Sequence, residues 1–237
     1  YDTCRDRFNT PCFIRTLGPV DGARLLDIGC GEGHNTRLLA RLGAKVSALD
    51  LSYKFIRYAS EAEERAPLGI DYRHGTAAEL PYEDEVFDIC TAFMSFQDMP
   101  RQPEALAEAY RVLKGNGVFQ FSILHPCFQT PFFRWVRDAN GRKIAVQIGG
   151  YFDRTPCEEQ WTFGAAPDEL KKKHSKFRTP YFEHTLSKWF EMVTEAGFTV
   201  TKLAEPTVDD ETLAKHPEEY DSRLIAMFLI IKCIKAR

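Results

Sequence analysis

A glycine-rich turn is the feature of the sequence that most plainly offers chemistry. Residues 25–33 read Leu-Leu-Asp-Ile-Gly-Cys-Gly-Glu-Gly, an apolar run that leads into three closely spaced glycines. A helical pattern follows, so the turn is expected at the carboxyl edge of a parallel sheet, where open sheets bind their ligands. Glycine matters there because a Cβ would block the approach of a ligand to the backbone. The turn therefore predicts a cofactor site.

The spacing of the glycines and two aspartates indicate which class of cofactor the turn binds. The third glycine is Gly33, whereas the dinucleotide fingerprint G-x-G-x-x-G needs glycine where this chain has His34. Asp27, at the end of the predicted strand, would repel a pyrophosphate but can accept a hydrogen bond from an amino group. Asp50, after the next predicted strand, can accept from both ribose hydroxyls in either cofactor class. Alternatively, Asp50 caps the helix that follows, a role that Ser52 fills equally well.

Four ordered segments carry a resemblance to a known family. Residues 25–40, 46–52, 75–88 and 105–122 resemble the class I S-adenosylmethionine-dependent methyltransferases, in the small-molecule branch that includes ubiquinone and menaquinone biosynthesis methyltransferases. The third segment contributes Gly-Thr-Ala-Ala-Glu-Leu-Pro-Tyr and, at its end, Phe-Asp. The resemblance extends over about two thirds of the chain, and it implies S-adenosylmethionine as the cofactor and a small-molecule methyl acceptor as the partner.

The resemblance also implies a set of cofactor-binding residues at the ends of the first four strands. In such proteins the turn after the first strand lies along the methionine part of the cofactor, and the end of the second strand holds the ribose beside adenine. The segment after the third strand flanks adenine, and the end of the fourth strand faces the sulfonium. The matching positions here are Asp27, Gly29, Cys30, Gly31 and Asn35, then Asp50 and Leu51, then Thr76, Ala77 and Ala78, and finally Phe93, Met94 and Gln97. Thr76 departs from the pattern, since many relatives have an acidic residue there, so the adenine amino group is expected to bond another acceptor.

A general base is optional for methyl transfer, because most of the acceleration can come from alignment and exclusion of water. A base helps where the acceptor is a hydroxyl or an ammonium. His125, at the carboxyl end of the predicted fifth strand, is the expected catalytic base. The alternative is a structural histidine that holds the start of the segment after it. His184 and Tyr181 form a second candidate group.

Apolar runs alternate with amphipathic segments along most of the chain, as in β-α units around a parallel sheet. The predicted strands are residues 24–28, 45–49, 70–74, 87–93, 118–124, 199–203 and 224–232, and a turn is predicted at 115–117. The main predicted helices are residues 34–42, 53–64, one that starts at 103, and 186–196. We expect an α/β fold, a Rossmann-like three-layer sandwich with a seven-stranded, mostly parallel sheet and a cap inserted between the fifth strand and the last helix.

We expect residues 1–237 to form one domain whose segments have different roles. Residues 20–125 and 186–237 form the cofactor-binding core, and the aromatic-rich residues 126–185 form an inserted substrate cap. Residues 1–20 are expected to be a helical lid, from which Tyr1, Arg5 and Asn9 can reach the site; a packed outer helix is the alternative.

Composition limits the partners. The formal net charge of −3 provides no general attraction to a polyanion, so no nucleic-acid partner is expected. No apolar stretch is long enough for a membrane helix, and no membrane partner is expected. Seven scattered cysteines without a C-x-x-C pair favour reduced thiols in the cytoplasm and argue against a zinc site, so no metal is predicted. A monomer or a homodimer is expected.

Three rival functions remain at this point. A nicotinamide-dependent oxidoreductase is disfavoured by His34 and Asp27. A noncatalytic protein that binds S-adenosylmethionine has the same turn, since a fold does not prove turnover. Methylation of RNA or DNA is weak, because the fourth strand ends in Thr-Ala-Phe-Met rather than an Asn/Asp-Pro-Pro-Tyr/Phe motif.

Overall fold

The computed structural model of the chain describes residues 3–162, 167–173 and 176–236. Its main sheet has seven strands in the order β3-β2-β1-β4-β5-β11-β10, and only β11 runs antiparallel to its neighbours. The strands are β1 Arg24–Ile28, β2 Lys45–Asp50, β3 Asp71–His74, β4 Phe87–Phe93, β5 Leu113–Leu124, β10 Phe198–Ala204 and β11 Phe228–Lys235. The predicted α/β fold with a seven-stranded, mostly parallel sheet is confirmed.

Helices join most of the strands. They are α1 Thr10–Leu17, preceded by a π-helical turn Arg5–Asn9, α2 His34–Arg41, α3 Tyr53–Arg65, α4 Gln102–Val112, α5 Asp168–Lys173, α6 Leu186–Glu195 and α7 Asp210–Lys215, with short 3₁₀ helices at Phe96–Asp98 and Pro217–Arg223. Hydroxyl caps begin two of them: Ser52 accepts from the Phe55 N–H at α3 and Thr185 from the Lys188 N–H at α6. These caps satisfy backbone donors that a helix start otherwise leaves unpaired.

Two apolar cores lie on opposite faces of the sheet because alternate residues of a strand point to opposite sides. In β1, Leu26 and Ile28 join the core that α4 and α6 cover, and Leu25 joins the core that α1 and α2 cover. Trp189 of α6 is among the largest fully buried side chains, and it contacts Phe121 of β5. The two cores make the three layers of the sandwich.

Two predicted boundaries are corrected. The turn predicted at residues 115–117 lies inside β5, where Phe87 pairs with Leu113 but Ile89 pairs with Val118, so the extra residues form a bulge with Asn116 at φ 63°. The last strand starts at Phe228 rather than at 224 and extends to Lys235. An apolar run continues from 224 into the strand, and hydrophobicity alone does not show that Leu224 still has helical dihedral angles.

Residues between β5 and α6 form two antiparallel hairpins outside the main sheet. Strands β6 Phe132–Arg137 and β7 Lys143–Gly149 pair with each other, and β8 Cys157–Trp161 pairs with β9 Phe177–Tyr181. The role of this region as a substrate cap stays a prediction. Across the described ranges, no helix has the length and apolar character needed to cross a membrane.

Candidate functional site

The glycine-rich turn after β1 is held against the end of β2. The N–H groups of Gly29 and Cys30 both donate to the Leu49 carbonyl, at 2.8 and 3.1 Å. A Cβ on Gly29 would lie 2.5 Å from Cβ of Ser95, so this glycine is required by close packing. Gly31, at φ 56°, has open space where a Cβ would stand. The turn therefore has one tightly packed glycine and one that leaves its surface accessible to a ligand.

Asp50 links the end of β2 to this turn. One carboxylate oxygen accepts from the Gly31 N–H at 2.9 Å, and the other accepts from the Ser52 N–H at 2.8 Å. Ser52 is the cap of α3, so Asp50 is not needed for that role. A carboxylate oxygen can accept more than one hydrogen bond, so both oxygens of Asp50 keep capacity for further donors. Burial raises the pKa of the Asp50 carboxyl. This half-buried carboxylate suits a pair of ribose hydroxyls.

Asp27 has a more enclosed environment than the sequence suggested. Its side chain is 3% exposed and accepts from the hydroxyls of Thr36 in α2 at 2.6 Å and Thr91 in β4 at 2.9 Å. Burial raises the pKa of Asp27 to about 6. The carboxylate thus connects three elements beneath the turn, and a contact with the cofactor amino group stays a prediction.

The end of β4 meets the turn from the other side. Met94 has φ 53°, a left-handed conformation that is uncommon for a residue with a side chain, and its N–H bonds to the backbone and side-chain oxygens of Ser122. Ser95 donates to the Ile28 carbonyl at 2.9 Å. The Phe93 ring packs edge-on against Phe13 of α1, with centroids 5.2 Å apart. The structure therefore places Met94 at the crevice between β1 and β4, where the strand order reverses.

The predicted adenine-side residues lie after β2 and β3. Leu51 is 67% exposed next to Asp50, and the Leu51 carbonyl contacts Nε2 of His74 at 2.9 Å. The hydroxyl of Thr76 accepts from the Ala78 N–H at 3.3 Å, and Ala77 is nearly buried. These residues end neighbouring parallel strands, so they share one edge of the sheet with Asp50. Their contact with adenine stays a prediction.

The N-terminal helical segment crosses the start of α2. The Thr10 hydroxyl contacts Oδ1 of Asn35 at 3.2 Å, and the Arg5 guanidinium lies 3.8 Å from the Glu32 carboxylate. Asn9 is 1% exposed, and among the described residues its Oδ1 has no hydrogen-bond partner. Tyr1 lies outside the described residues. The segment therefore covers Asn35 and the glycine turn, in the position that a lid would need.

Both ring nitrogens of His125 have hydrogen-bond partners. It is 4% exposed, Nδ1 accepts from the Cys127 N–H at 3.2 Å, and Nε2 lies 3.0 Å from Oε1 of Glu205. Because Nδ1 accepts, the proton of the neutral ring is on Nε2, so no lone pair is left to take a proton from an acceptor. Burial lowers the pKa of His125. The catalytic role of His125 stays a prediction, and the engagement of both ring nitrogens is what the alternative, a structural histidine at the start of the insertion, requires.

The second candidate group, His184 and Tyr181, lies at the end of β9 and before α6. Nε2 of His184 lies 2.6 Å from Oε1 of Gln102, and its ring packs edge-on against Trp189 with centroids 5.4 Å apart. Tyr181 is 5% exposed and lines the same cleft as His184. Burial is the main cause that lowers the pKa of His184, and the charges of Lys188 and Arg154 act in the same direction.

Sequence reasoning missed the residues that connect the site. Thr36, Thr91 and Ser95 fix the turn, and Gln102 fixes His184. A threonine inside the otherwise apolar centre of β4 is a signal that could have identified Thr91. The others give no signal, because their roles depend on which elements become neighbours. No group of three His, Cys, Asp or Glu residues that could hold a metal ion occurs within the described ranges.

Comparisons with known proteins agree with this geometry. Residues 26–121 match a family model described as a methyltransferase domain. An S-adenosylmethionine-dependent methyltransferase from Mesorhizobium loti is similar at a TM-score of 0.76 and 25% identity, over 95% of this chain and 96% of that chain. The malonyl-[acyl-carrier protein] O-methyltransferase of Pectobacterium atrosepticum is 38% identical over 51% of this chain and 49% of its own length. The demethylmenaquinone methyltransferase of Lactococcus lactis is 28% identical over 71% of this chain and 69% of its own length.

In sequence the chain is thus similar to methyltransferases over residues 26–121, and its fold is similar to that of a solved S-adenosylmethionine-dependent methyltransferase over most of its length. S-adenosylmethionine is the cofactor named for the solved structures that it resembles. The chain spans about half the length of the first curated relatives that it matches.

Proposed function

We propose that this protein transfers a methyl group from S-adenosylmethionine to a small-molecule acceptor and releases S-adenosylhomocysteine. The observation that carries the proposal is the Asp50 carboxylate, which is oriented by the Gly31 and Ser52 N–H groups and keeps lone pairs for two ribose hydroxyls. The open space at Gly31 leaves room for the methionine part beside the turn. The residues present therefore fit this cofactor.

The cofactor supplies a methyl group on a sulfonium, which is activated without a metal. The protein's task is to align the acceptor with that methyl and to exclude water. Asp50 and Leu51 are proposed to hold the adenosine part, with Thr76, Ala77 and Ala78 beside adenine. Met94, fixed in its left-handed conformation by Ser122, lies at the crevice where the methyl would be presented. The proposal includes a small-molecule acceptor, which is supported by relatives named for small-molecule acceptors. It also includes a cytoplasmic location, which is supported by the scattered cysteines.

Calorimetric titration with S-adenosylhomocysteine, S-adenosylmethionine and NAD tests the cofactor. We expect both S-adenosyl compounds to bind, and Asp50→Ala to weaken them by at least about tenfold, because it removes charge-assisted hydrogen bonds. Glu32→Ala is the matched control, since it removes a carboxylate from the same turn that has only a 3.8 Å ion pair with Arg5. Binding of NAD alone would contradict the proposal and support the oxidoreductase alternative, which the early third glycine disfavours.

Turnover is tested by incubating the protein with S-adenosylmethionine and a deproteinised extract of small molecules. The expected result is S-adenosylhomocysteine formation that depends on the extract. Tight cofactor binding without any product from extracts of several sources would instead support a noncatalytic binding protein.

A further inference from the structure

A cavity lies between the closed end of the β6–β7 hairpin and the 3₁₀ helix Pro217–Arg223, and we call it the hairpin cavity. Its volume of about 460 Å³ is within the range of about 300–1,000 Å³ that is usual for small-ligand sites. Its lining shares no residue with the proposed cofactor site. Apolar walls come from Leu213 and Pro217, and the hairpin contributes three cations, Arg137, Arg142 and Lys143.

The acidic residues that line the hairpin cavity are already paired. Asp221 forms an ion pair with Lys143, and Glu218 accepts from Arg7 at 2.8 Å. Asp138, in the hairpin turn, does not line the cavity and accepts from two backbone N–H groups of that turn. Among the residues that the structure describes, neither of the two arginines of the cavity has a carboxylate partner. The cavity therefore attracts anions, although the formal net charge of the whole chain is −3.

Both arginines are held in place but keep hydrogen-bond donors for a ligand. The guanidinium of Arg142 lies over the Tyr220 ring, 4.2 Å from its centroid. The ring attracts the cation without being a conventional acceptor, so the N–H groups of Arg142 stay available. Nη1 of Arg137 donates to the Gly141 carbonyl at 2.8 Å, and its other nitrogens have no acceptor in the described ranges. Because these contacts already restrict both side chains, binding an anion costs little further side-chain entropy.

We propose that the hairpin cavity binds a small phosphate monoester through Arg137 and Arg142. Near pH 7 a phosphate monoester has a charge of about −1.5 to −2 and three strong acceptor oxygens. This charge matches the two guanidiniums that lack carboxylate partners, and three oxygens can accept from both guanidiniums at once. Leu213 and Pro217 provide apolar contacts for the organic part of the ester. The inference goes beyond the proposed function and does not depend on it.

Other small ions fit the hairpin cavity less well. A carboxylate has one charge and two oxygens, which a single guanidinium satisfies, so the second arginine stays without a partner. A sulfonate has three oxygens but only one negative charge, and it gains less from two guanidiniums. A cation would be repelled by both arginines, because Asp221 and Glu218 are engaged by other residues.

The test is calorimetric titration of the full chain with phenyl phosphate, which joins a phosphate monoester to a flat apolar ring. Benzoate and benzenesulfonate are the matched ligands, since each keeps the ring but has one negative charge. We expect phenyl phosphate to bind at least about tenfold more tightly than either. No binding of phenyl phosphate at its highest soluble concentration, or equal affinity for the three ligands, would overturn the proposal.

Four variants test whether the bound phosphate lies in the hairpin cavity. Arg137→Gln and Arg142→Gln each remove one guanidinium, and each should weaken phenyl phosphate binding by about tenfold. Arg142→Lys keeps the charge but has a single ammonium, so it should recover only part of that loss. Arg134→Gln is the matched control, because this exposed arginine of β6 bonds to Gln147 and does not line the cavity. Its affinity should stay within about twofold, and a loss as large as that in Arg137→Gln would contradict a specific site.

The titrations contain no S-adenosyl compound, so their result can be separated from that of the proposed function. Each variant should still bind S-adenosylhomocysteine within about twofold of the unmodified protein, which also shows that it is folded. Phenyl phosphate binding that is unchanged in both Arg137→Gln and Arg142→Gln refutes the hairpin cavity alone. Failure of the unmodified protein to bind S-adenosylhomocysteine refutes the proposed function alone.

Discussion

At the scale of single residues, two aspartates of the same turn have different environments. Asp27 is enclosed and contacts two threonine hydroxyls, whereas Asp50 is half-buried and contacts two backbone N–H groups. Hydroxyls can rotate and serve either protonation state of a carboxyl, but an N–H can only donate and so favours the carboxylate. Asp27 is therefore suited to structure beneath the site, and Asp50 to binding.

The pH dependence of stability tests the environment of Asp27. Its pKa is raised from 3.8 to about 6 in the folded state, so the folded protein binds more protons than the unfolded chain between these values. The contribution of Asp27 to the free energy of unfolding therefore falls as pH rises through this window, by up to about 3 kcal/mol. Chemical denaturation of Asp27→Asn from acid to neutral pH should lack this fall.

Asp88 provides a control of opposite sign. Its pKa is lowered in the fold, where it accepts from Lys114 and from the Arg24 N–H, although burial alone would raise it. Its stabilising contribution is present above its ordinary pKa and is lost as pH falls through the folded value. Asp88→Asn should therefore remove a rise of stability with pH. If the free energy of unfolding changes with pH in the same way in Asp27→Asn and Asp88→Asn, the description of Asp27 as an enclosed carboxyl with a raised pKa is wrong.

His125 should matter for stability rather than for turnover. Replacing it by Asn breaks the pair with Glu205, whereas the Asn oxygen can still accept from the Cys127 N–H, so the loss should cost about 1 kcal/mol in thermal or denaturant unfolding. His216→Asn should cost less, because that side chain is 39% exposed rather than buried. If His125→Asn keeps full stability but its turnover no longer shows the rise with pH that the titration of a base produces, the prediction of a catalytic base is supported.

At the scale of elements, the β1–α2 turn combines a glycine required by packing with a glycine that we propose lies against the cofactor. Gly33, at φ 84°, faces the buried Tyr72 hydroxyl, which a Cβ would overlap; Gly31 faces open space. Both positions are left-handed, so alanine costs roughly 1–2 kcal/mol at either on backbone grounds. The remaining difference between them comes from Tyr72 and from the ligand.

Alanine substitutions should therefore separate two effects. Gly33→Ala is expected to lower the free energy of unfolding more than Gly31→Ala does, and Tyr72→Phe should recover part of that loss by removing the overlapped hydroxyl. Gly31→Ala should instead reduce S-adenosylhomocysteine binding more than stability. Calorimetry and thermal unfolding measure the two quantities, and an unchanged affinity in Gly31→Ala would argue against a ligand at that surface.

At the scale of the whole molecule, the two ends of the chain are joined. Arg7 pairs with Glu218 and Glu219, at 2.8 and 2.5 Å, and Lys232 of β11 donates to the carbonyls of Thr16 and Leu17. The N-terminal helical segment is thus fixed to the antiparallel end of the sheet while it covers the glycine turn. We propose that this segment acts as a lid; because it is already fixed in place, closure would cost little chain entropy.

Hydrogen exchange should show that the sheet and the β6–β7 hairpin differ in local stability. Strands β1, β4 and β5 are buried by both cores, whereas the hairpin has exposed apolar side chains such as Phe132 and Ile144 and pairs with no further strand. We expect amides of the central strands to exchange at least about a hundredfold more slowly than those of the hairpin. Equal protection in both would mean that the insertion is stabilised by contacts beyond those described.

The sequence by itself determined the strands of the main sheet and the edge of the sheet where the cofactor is proposed to bind, because both depend on patterns of neighbouring residues. Alternating apolar runs identify strands, glycine spacing identifies a turn, and strand ends on one edge bring Asp50, Leu51 and Met94 to one side. It did not locate the start of β11, since an apolar run looks the same before and within a strand.

Only the tertiary structure decided the roles of the polar side chains. The sequence favoured His125 over His184 as a base, whereas in the structure His125 has both ring nitrogens engaged and His184 has one. Gln102 and Arg154 carried no sequence signal, because their partners are distant along the chain or are backbone carbonyls. A hydrogen bond depends on distances and directions between neighbouring elements, and neither is encoded in local spacing.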